Sequence, residues 1–138
     1  MPYYRILSQN EIHLACKEGF LATNKEQWND YKIGTVVLLL NTDNPQDVFI
    51  KYRTAIANHR GLTTGDKLFL LLITKISSEI EEDQSKSSGC EESIAHFGRI
   101  PIDYVSVVAE TDVTKNGGTL KEFSGIRFYK SPMNLCDI

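Results

Sequence analysis

Two continuous apolar runs limit the folds that are open to this chain. Residues 36–40 (Val-Val-Leu-Leu-Leu) and 68–73 (Leu-Phe-Leu-Leu-Leu-Ile) are each long enough for a strand and too short for a helix. Neither run alternates apolar with polar side chains, as a strand with one solvated face would. The two runs therefore predict strands that are covered on both faces or lie at the centre of a sheet.

Two helices are predicted beside these strands. The first begins at Ser8, because Glu11 three residues later completes a capping-box pattern, and it ends at Gly19 in a left-handed cap. The second follows the Asn-Pro pair at residues 44–45, which provides an N-cap residue and a first-turn proline. Apolar side chains then recur at helical spacing over residues 48–61, so this segment is the strongest helix of the sequence.

Further strands are predicted near the two ends of the sequence. Residues 3–7, 102–110 and 126–130 carry the β-branched and aromatic side chains that strands favour. The tripeptide Asn-Gly-Gly at residues 116–118 predicts a tight turn. Residues 20–32, which contain the single tryptophan, predict a loop with one helical turn.

The order of these elements predicts an α+β fold with a mixed, mostly antiparallel sheet and two principal helices. No linker interrupts residues 1–138, so we expect a single domain, and the tail beyond Pro132 is expected to pack loosely. The composition is 41% hydrophobic and 24% charged, as in ordinary globular proteins. A net charge of −3 argues against a broad nucleic-acid surface, and no apolar run is long enough for a membrane span.

The cysteines predict free thiols. Cys16, Cys90 and Cys136 are odd in number and widely spaced, and no Cys-x-x-Cys pair is present, so neither a disulfide framework nor a zinc site is expected. The alternative is that two of the cysteines pair across space. The sequence does not open on a basic segment followed by an apolar stretch, as a signal peptide would. We therefore expect a cytoplasmic location and no bound metal.

Residues 94–101 (Ile-Ala-His-Phe-Gly-Arg-Ile-Pro) contain the clearest candidate for a ligand site. His96 and Arg99 lie where a polar loop meets a predicted strand, and imidazole and guanidinium groups in such places contact anionic ligands. The alternative is a packed turn with a hydrogen-bonded histidine. Tyr4 and Arg5 begin the first strand, whose end is a second candidate ligand edge.

An acidic segment at residues 79–92 precedes His96. Its carboxylates either include one catalytic group or form a solvated face, and its middle, residues 84–90, has the small polar side chains of a mobile loop. The sequence contains no serine-hydrolase, phosphate-loop, metalloprotease or dinucleotide-binding motif. The candidates for chemistry are therefore isolated residues.

Six segments follow one another in an order that is known from other proteins. They are residues 4–6, 11–19, 34–42, 48–61, 67–73 and 95–105. Their order resembles that of a group of small bacterial proteins of unknown function related to the ADP-ribosyltransferase fold. Those proteins open with a Tyr-His-Ile strand and carry a Phe-Pro-His-x-Tyr-Gly-x-Leu turn before a valine-rich strand.

The resemblance implies an ADP-ribosyltransferase-like domain that binds NAD or a related nucleotide. Tyr4 and Arg5 would contact this ligand from the first strand, and His96 and Arg99 from the turn. Glu92 would stabilise the positive charge that develops at the ribose C1′ as nicotinamide leaves. Arg5 stands in place of a histidine that would hold the nicotinamide ribose, so a catalytically degenerate domain is equally consistent with the resemblance.

Two other functions are compatible with the same patterns. One is a non-catalytic binding or regulatory module with this fold. The other is a small docking protein whose acidic segment, residues 79–92, binds a basic partner. The patterns do not distinguish an enzyme from a binding protein, and they contain no signal for an oligomeric state.

Overall fold

The computed structural model describes residues 2–28, 30–76, 79–82, 91–118 and 120–138. The helices and strands of these residues are β1 (Tyr3–Ser8), α1 (Gln9–Glu18), β2 (Phe20–Leu21), β3 (Val36–Asn41), α2 (Pro45–His59), β4 (Lys67–Ile73), β5 (Ile80–Glu82), β6 (Ser93–Phe97), β7 (Ile100–Pro101), β8 (Val105–Gly117), β9 (Leu120–Phe123) and β10 (Arg127–Asn134). Short 3-10 turns occupy Ile102–Tyr104 and Leu135–Asp137. The predicted mobile loop at residues 84–90 lies outside the described residues.

Eight strands form one large sheet. Its order is β10-β8-β4-β1-β3-β6-β5, with β9 paired to β8, and all these pairs are antiparallel. Strands β2 and β7 form a separate antiparallel pair. The predicted α+β class with two helices and a mostly antiparallel sheet is confirmed. Both apolar runs, which are β3 and β4, lie inside the large sheet with a neighbour on each side.

The two helices cover opposite faces of this sheet. Strand residues alternate between the faces, so Leu7 packs in the cluster beneath α1, whereas Ile6 packs in the cluster beneath α2. The α2 cluster includes Phe49, which is fully buried. Because both faces are covered, the central strands are apolar on both sides, which explains why the runs do not alternate.

The ends of α1 follow the local signals of the sequence. The Ser8 side chain accepts from Glu11 N, and the Glu11 carboxylate accepts from Ser8 N at 3.1 Å, so the capping box is complete. Gly19 ends the helix at φ 90° and donates to Ala15 O at 2.7 Å. At the start of α2, Asn44 holds the N-cap position, but its side chain donates to Asp47 Oδ2 instead of capping the helix.

Among the described residues no helix is long and apolar enough to cross a membrane.

Two regions differ from the sequence-based expectation. The described part of residues 20–32 contains no helical turn; it begins with β2 and ends in a bridge between Trp28 and Tyr31. The tail beyond Pro132 is anchored, since Leu135 is buried in the α1 core cluster. Six residues at the end of a sequence are too few for their apolar spacing to reveal such an anchor.

The tail is also joined covalently to α1. The Cys16 and Cys136 sulfur atoms form a disulfide, with Cα atoms 5.6 Å apart. The expectation that all thiols are free was therefore wrong, because the fold brings together two cysteines that are distant in sequence. The cytoplasmic location, which drew support from that expectation, stays a prediction.

Candidate functional site

The large sheet is split between β1 and β3. These strands pair only at Tyr3–Asn41 and Tyr4–Leu40, whereas β1 pairs with β4 along its full length. Beyond Tyr4 a side chain replaces the backbone ladder: Arg5 Nη1 donates to Leu38 O at 2.7 Å. A gap therefore opens near the middle of the sheet, with Arg5 extending across it.

Asn24 occupies the far end of the gap, where a longer β1–β3 ladder would continue. Its backbone N–H donates to Val36 O at 2.8 Å, and its Oδ1 accepts from Val36 N at 3.1 Å. Asn24 thus forms hydrogen bonds with both the backbone N–H and the backbone C=O of Val36, as a residue of a partner strand would. The Leu38 peptide group, two residues further along β3, faces the gap by strand alternation.

A cleft of about 670 Å³ follows this gap, and we call it the split-sheet cleft. Its walls are α1, the segment 21–28, β3 and the C-terminal half of α2. Most of the lining is apolar, and the volume is within the range of small-molecule sites in proteins. The split-sheet cleft is therefore the candidate ligand site.

Three charged side chains meet in the split-sheet cleft. Arg60 Nε donates to Glu11 Oε1 at 2.8 Å, which joins the end of α2 to the first turn of α1. The same carboxylate oxygen accepts from the backbone and hydroxyl of Ser8. Arg5 lies close enough to interact electrostatically with both Glu11 and Arg60. Two guanidinium groups thus share one carboxylate, so this group of three carries one net positive charge, while Glu18, Lys25 and Glu26 elsewhere in the lining bring the whole cleft to no net charge.

The electrostatics of this group keep the carboxylate ionised. Burial raises the pKa of Glu11, but the hydrogen bond and charge of Arg60, the Ser8 backbone and the charge of Arg5 outweigh it, so the pKa is lowered. For Arg5, burial lowers the pKa, the charge of Glu11 raises it, and the charge of Arg60 lowers it further. Arginine remains protonated in any case. The repulsion between the two guanidinium groups favours a bound anion.

Glu11 should make the stability of the protein depend on acidic pH. Its folded-state pKa lies below the ordinary value of 4.5, so its contribution to stability is fully present above about pH 4.5 and is lost as the pH falls through the folded value. We expect Glu11→Gln to lower the melting temperature at pH 7 and to lower it less at pH 3, as measured by thermal denaturation.

The matched control for this prediction is Glu18→Gln. Glu18 is an exposed carboxylate of the same helix, and its replacement leaves the bonds of Glu11 to Ser8 and Arg60 in place. An equal loss of melting temperature at both pH values in Glu11→Gln would contradict the role of the ionised carboxylate.

Trp28 also lines the cleft. A two-bond bridge holds its backbone, since Trp28 N donates to Tyr31 O at 3.1 Å and Tyr31 N donates to Trp28 O at 2.8 Å. The side chain is 40% exposed. A partly exposed indole at a cleft provides a flat apolar surface on which an aromatic ring can stack.

Glu92 lies beside the cleft and is bonded to α2. Lys51 Nζ donates to its two carboxylate oxygens, each at 3.2 Å, and the Tyr52 hydroxyl donates to Oε2. Burial raises the pKa of Glu92, but these hydrogen bonds outweigh it and the pKa is lowered. Burial and the bond to Glu92 raise the pKa of Tyr52 to about 12. Tyr52 lines the cleft and Glu92 does not, so Glu92 acts on the cleft by fixing the position of the Tyr52 hydroxyl.

The structure does not bring the five sequence-predicted site residues together. Of them, Arg5 is the one that lines the cleft among the described residues. Tyr4 is buried in the core cluster of α2, and Arg99 lies exposed over the Phe20 ring at 4.1 Å. His96 is fully buried, with Nδ1 3.0 Å from Gly98 O. His96 lies inside β6, paired with β3 on one side and β5 on the other, and not in the packed turn that the sequence left as the alternative.

Sequence reasoning missed three residues of the cleft. The sequence pattern predicts only a capping role for Glu11, and Arg60 and Trp28 belong to no pattern that indicates a ligand. The nearest signal for Trp28 was its position as the single tryptophan in a polar segment. No local pattern reports that α1, α2 and the segment 21–28 converge on one gap.

The guanidinium groups of Arg5 and Arg60 are the basic hydrogen-bond donors of the charged group in the cleft. Within the part of the chain that the structure describes, no three His, Cys, Asp or Glu side chains lie together as metal ligands would. The acidic docking segment is described only at residues 79–82 and 91–92, so partner docking stays a prediction.

No family model, curated protein or solved structure matches this chain.

Proposed function

We propose that this chain binds a nucleotide-type ligand, such as NAD or ADP-ribose, in the split-sheet cleft. The observation that carries the proposal is the number of hydrogen-bond donors that Arg5 leaves unused. Its guanidinium is half-buried, and among the described residues its one hydrogen-bond acceptor is Leu38 O. Because a guanidinium has five N–H donors, four remain available to an anion. Phosphate groups fit such a fork in a bidentate manner.

Arg60 supports the same ligand class from the opposite wall. Its Nε is bonded to Glu11, which orients the guanidinium while its outer nitrogen atoms stay available within the described part of the chain. A phosphate bound beside Arg5 would reduce the repulsion between the two guanidinium groups. The pair therefore favours an anion over a neutral ligand.

Trp28 and the size of the cleft favour a ligand with an aromatic ring. An indole can stack on a nucleobase, and such stacking contributes about 1–3 kcal/mol per base in proteins that bind nucleic acid. The cleft volume of about 670 Å³ is large enough for a nucleotide. A free phosphate would leave the apolar lining and Trp28 unused.

The carboxylates favour binding over ADP-ribosyl transfer within this proposal. Transfer requires a carboxylate free to stabilise charge at the ribose C1′. Glu11 is hydrogen-bonded to Ser8 and Arg60, and Glu92 is hydrogen-bonded to Lys51 and Tyr52. Of the other carboxylates described in the cleft lining, Glu26 is ion-paired with His59, so Glu18 is the one that a transfer reaction would have to use. An ADP-ribosyltransferase-like domain that binds its nucleotide without transferring it fits this arrangement. We expect no release of nicotinamide from NAD above the rate without protein.

The binding proposal is tested by the fluorescence of the single tryptophan. We expect ADP-ribose or NAD to change Trp28 emission in a saturable manner, and inorganic phosphate to do so only weakly. Arg5→Gln should raise Kd about 10- to 100-fold, because a charge-assisted hydrogen bond contributes about 1.5–3 kcal/mol and each 1.4 kcal/mol corresponds to a factor of ten.

Two further variants make this test specific. Arg60→Gln should also weaken binding and replaces Arg5→Gln as the test if that variant does not fold by circular dichroism. Arg99→Gln is the matched control, because Arg99 is an exposed arginine outside the cleft. A lack of saturable response to any nucleotide, or equal losses in Arg99→Gln and Arg5→Gln, would refute binding at this site.

A further inference from the structure

We propose that the Cys16–Cys136 disulfide is a redox-sensitive switch that controls ligand affinity in the split-sheet cleft. This inference rests on the ligand-binding function proposed above. The oxidised pair holds α1, one wall of the cleft, in the position that brings Glu11 to Arg60. Reduction releases that wall and weakens binding.

The disulfide is attached to the helix that forms the cleft wall. Cys16 follows Ala15, which lines the cleft, and the same helix contributes Glu11, Leu14 and Glu18 to the lining. The other cysteine belongs to the 3-10 turn Leu135–Asp137. The bond thus connects the wall to a segment that is itself anchored in the core.

The disulfide is accessible to a reductant. Cys136 is exposed and Cys16 is half-buried, and exposed disulfides are the ones that commonly exchange with external thiols. A thiolate of a dithiol attacks the Cys136 sulfur, the Cys16 thiolate leaves and takes a proton, and the second thiol of the reductant then releases Cys136. The products are two cysteine thiols on the protein and one oxidised dithiol, and two electrons pass from the dithiol to the protein.

The remaining contacts keep the tail near α1 after reduction but hold it less firmly. Leu135 is buried in the core, and His13 Nε2 lies 3.3 Å from Ile138 O. On the cleft side, Ile12 and Ala15 remain packed in the core cluster. The helix therefore stays folded on the sheet, while its position relative to Arg60 becomes less restricted. A ligand must then order this wall as it binds, which lowers affinity.

The test compares ADP-ribose binding in the two redox states. Kd is measured by Trp28 fluorescence for oxidised protein and for protein reduced with dithiothreitol. We expect reduction to raise Kd about 3- to 10-fold. The Cys16→Ser/Cys136→Ser double variant should bind as weakly as reduced protein and should not respond to dithiothreitol. Cys90→Ser, which alters the third cysteine, is the matched control and should respond as the unmodified protein does.

Two outcomes separate this inference from the proposed function. Equal Kd values in both redox states would overturn the switch and leave the binding function intact. Absence of binding in both states would refute the binding function, and the switch would then fail with it. Amide hydrogen exchange without ligand gives an independent check, because exchange in residues 9–18 and 20–28 should become faster on reduction. Unchanged exchange there would overturn the coupling of disulfide to cleft.

Discussion

Loss of the Cys16–Cys136 disulfide should lower the melting temperature by about 10–20 °C. The two cysteines are 120 residues apart in the sequence, so the cross-link restricts most of the unfolded chain. Closing a loop of this length corresponds to about 3–5 kcal/mol of stability, chiefly through the lower entropy of the unfolded state. For a protein of this size, 1 kcal/mol shifts the melting temperature by about 3–5 °C.

Thermal denaturation with and without dithiothreitol measures this effect. The Cys16→Ser/Cys136→Ser double variant should melt as reduced protein does, and Cys90→Ser should melt near the unmodified protein. Thiol titration of the denatured chain should find two fewer thiols without reductant than with it. Equal thiol counts in the two conditions would show that the pair does not form in solution.

Phe49→Ala should lower the free energy of unfolding by about 3–5 kcal/mol. Phe49 is fully buried in the α2 core cluster, whose members include Tyr4, Ile6 and Leu70. Truncation removes the transfer free energy of the ring and leaves a cavity that the surrounding sheet fills only in part. The melting temperature should fall by about 10–20 °C.

The neighbouring residue provides the control for this substitution. Ile50 is 46% exposed on the same helix, so Ile50→Ala should cost less than about 1 kcal/mol. Urea denaturation of both variants gives the two free energies of unfolding. Similar losses in Phe49→Ala and Ile50→Ala would contradict the assignment of the buried face of α2.

Several elements of the fold could be predicted because their signals are local. The capping box at Ser8 and Glu11 and the left-handed Gly19 define α1 from adjacent residues alone. The apolar runs are β3 and β4. Strand β4 is buried by a helix on each face, whereas β3 packs in the α1 cluster on one face and against Tyr31, Ala95 and Phe97 on the other. The longer extents of β8 and β10 are not predicted by the sequence. The end of β10 is exposed and lacks periodicity, whereas β8 continues to alternate through the buried Thr111 and Val113, with a polar threonine at a buried position.

The candidate site was only partly predictable. Arg5 was chosen from its place on the first strand, and it does line the cleft. His96 was chosen for its polar surroundings in the sequence, but the fold buries it completely. Glu11 and Arg60 are 49 residues apart, and their ion pair exists because α1 and α2 meet where β1 leaves β3. No pattern within one segment contains that information.

The amino-acid sequence alone determined the α+β class, the two helices and the buried central strands. These follow from hydrophobic periodicity and capping, which act over a few residues. The tertiary structure alone decided where β1 separates from β3, which cysteines pair, and which charges share the cleft. Each of these depends on contacts between segments distant in the chain, whose geometry is set by how the helices pack on the sheet.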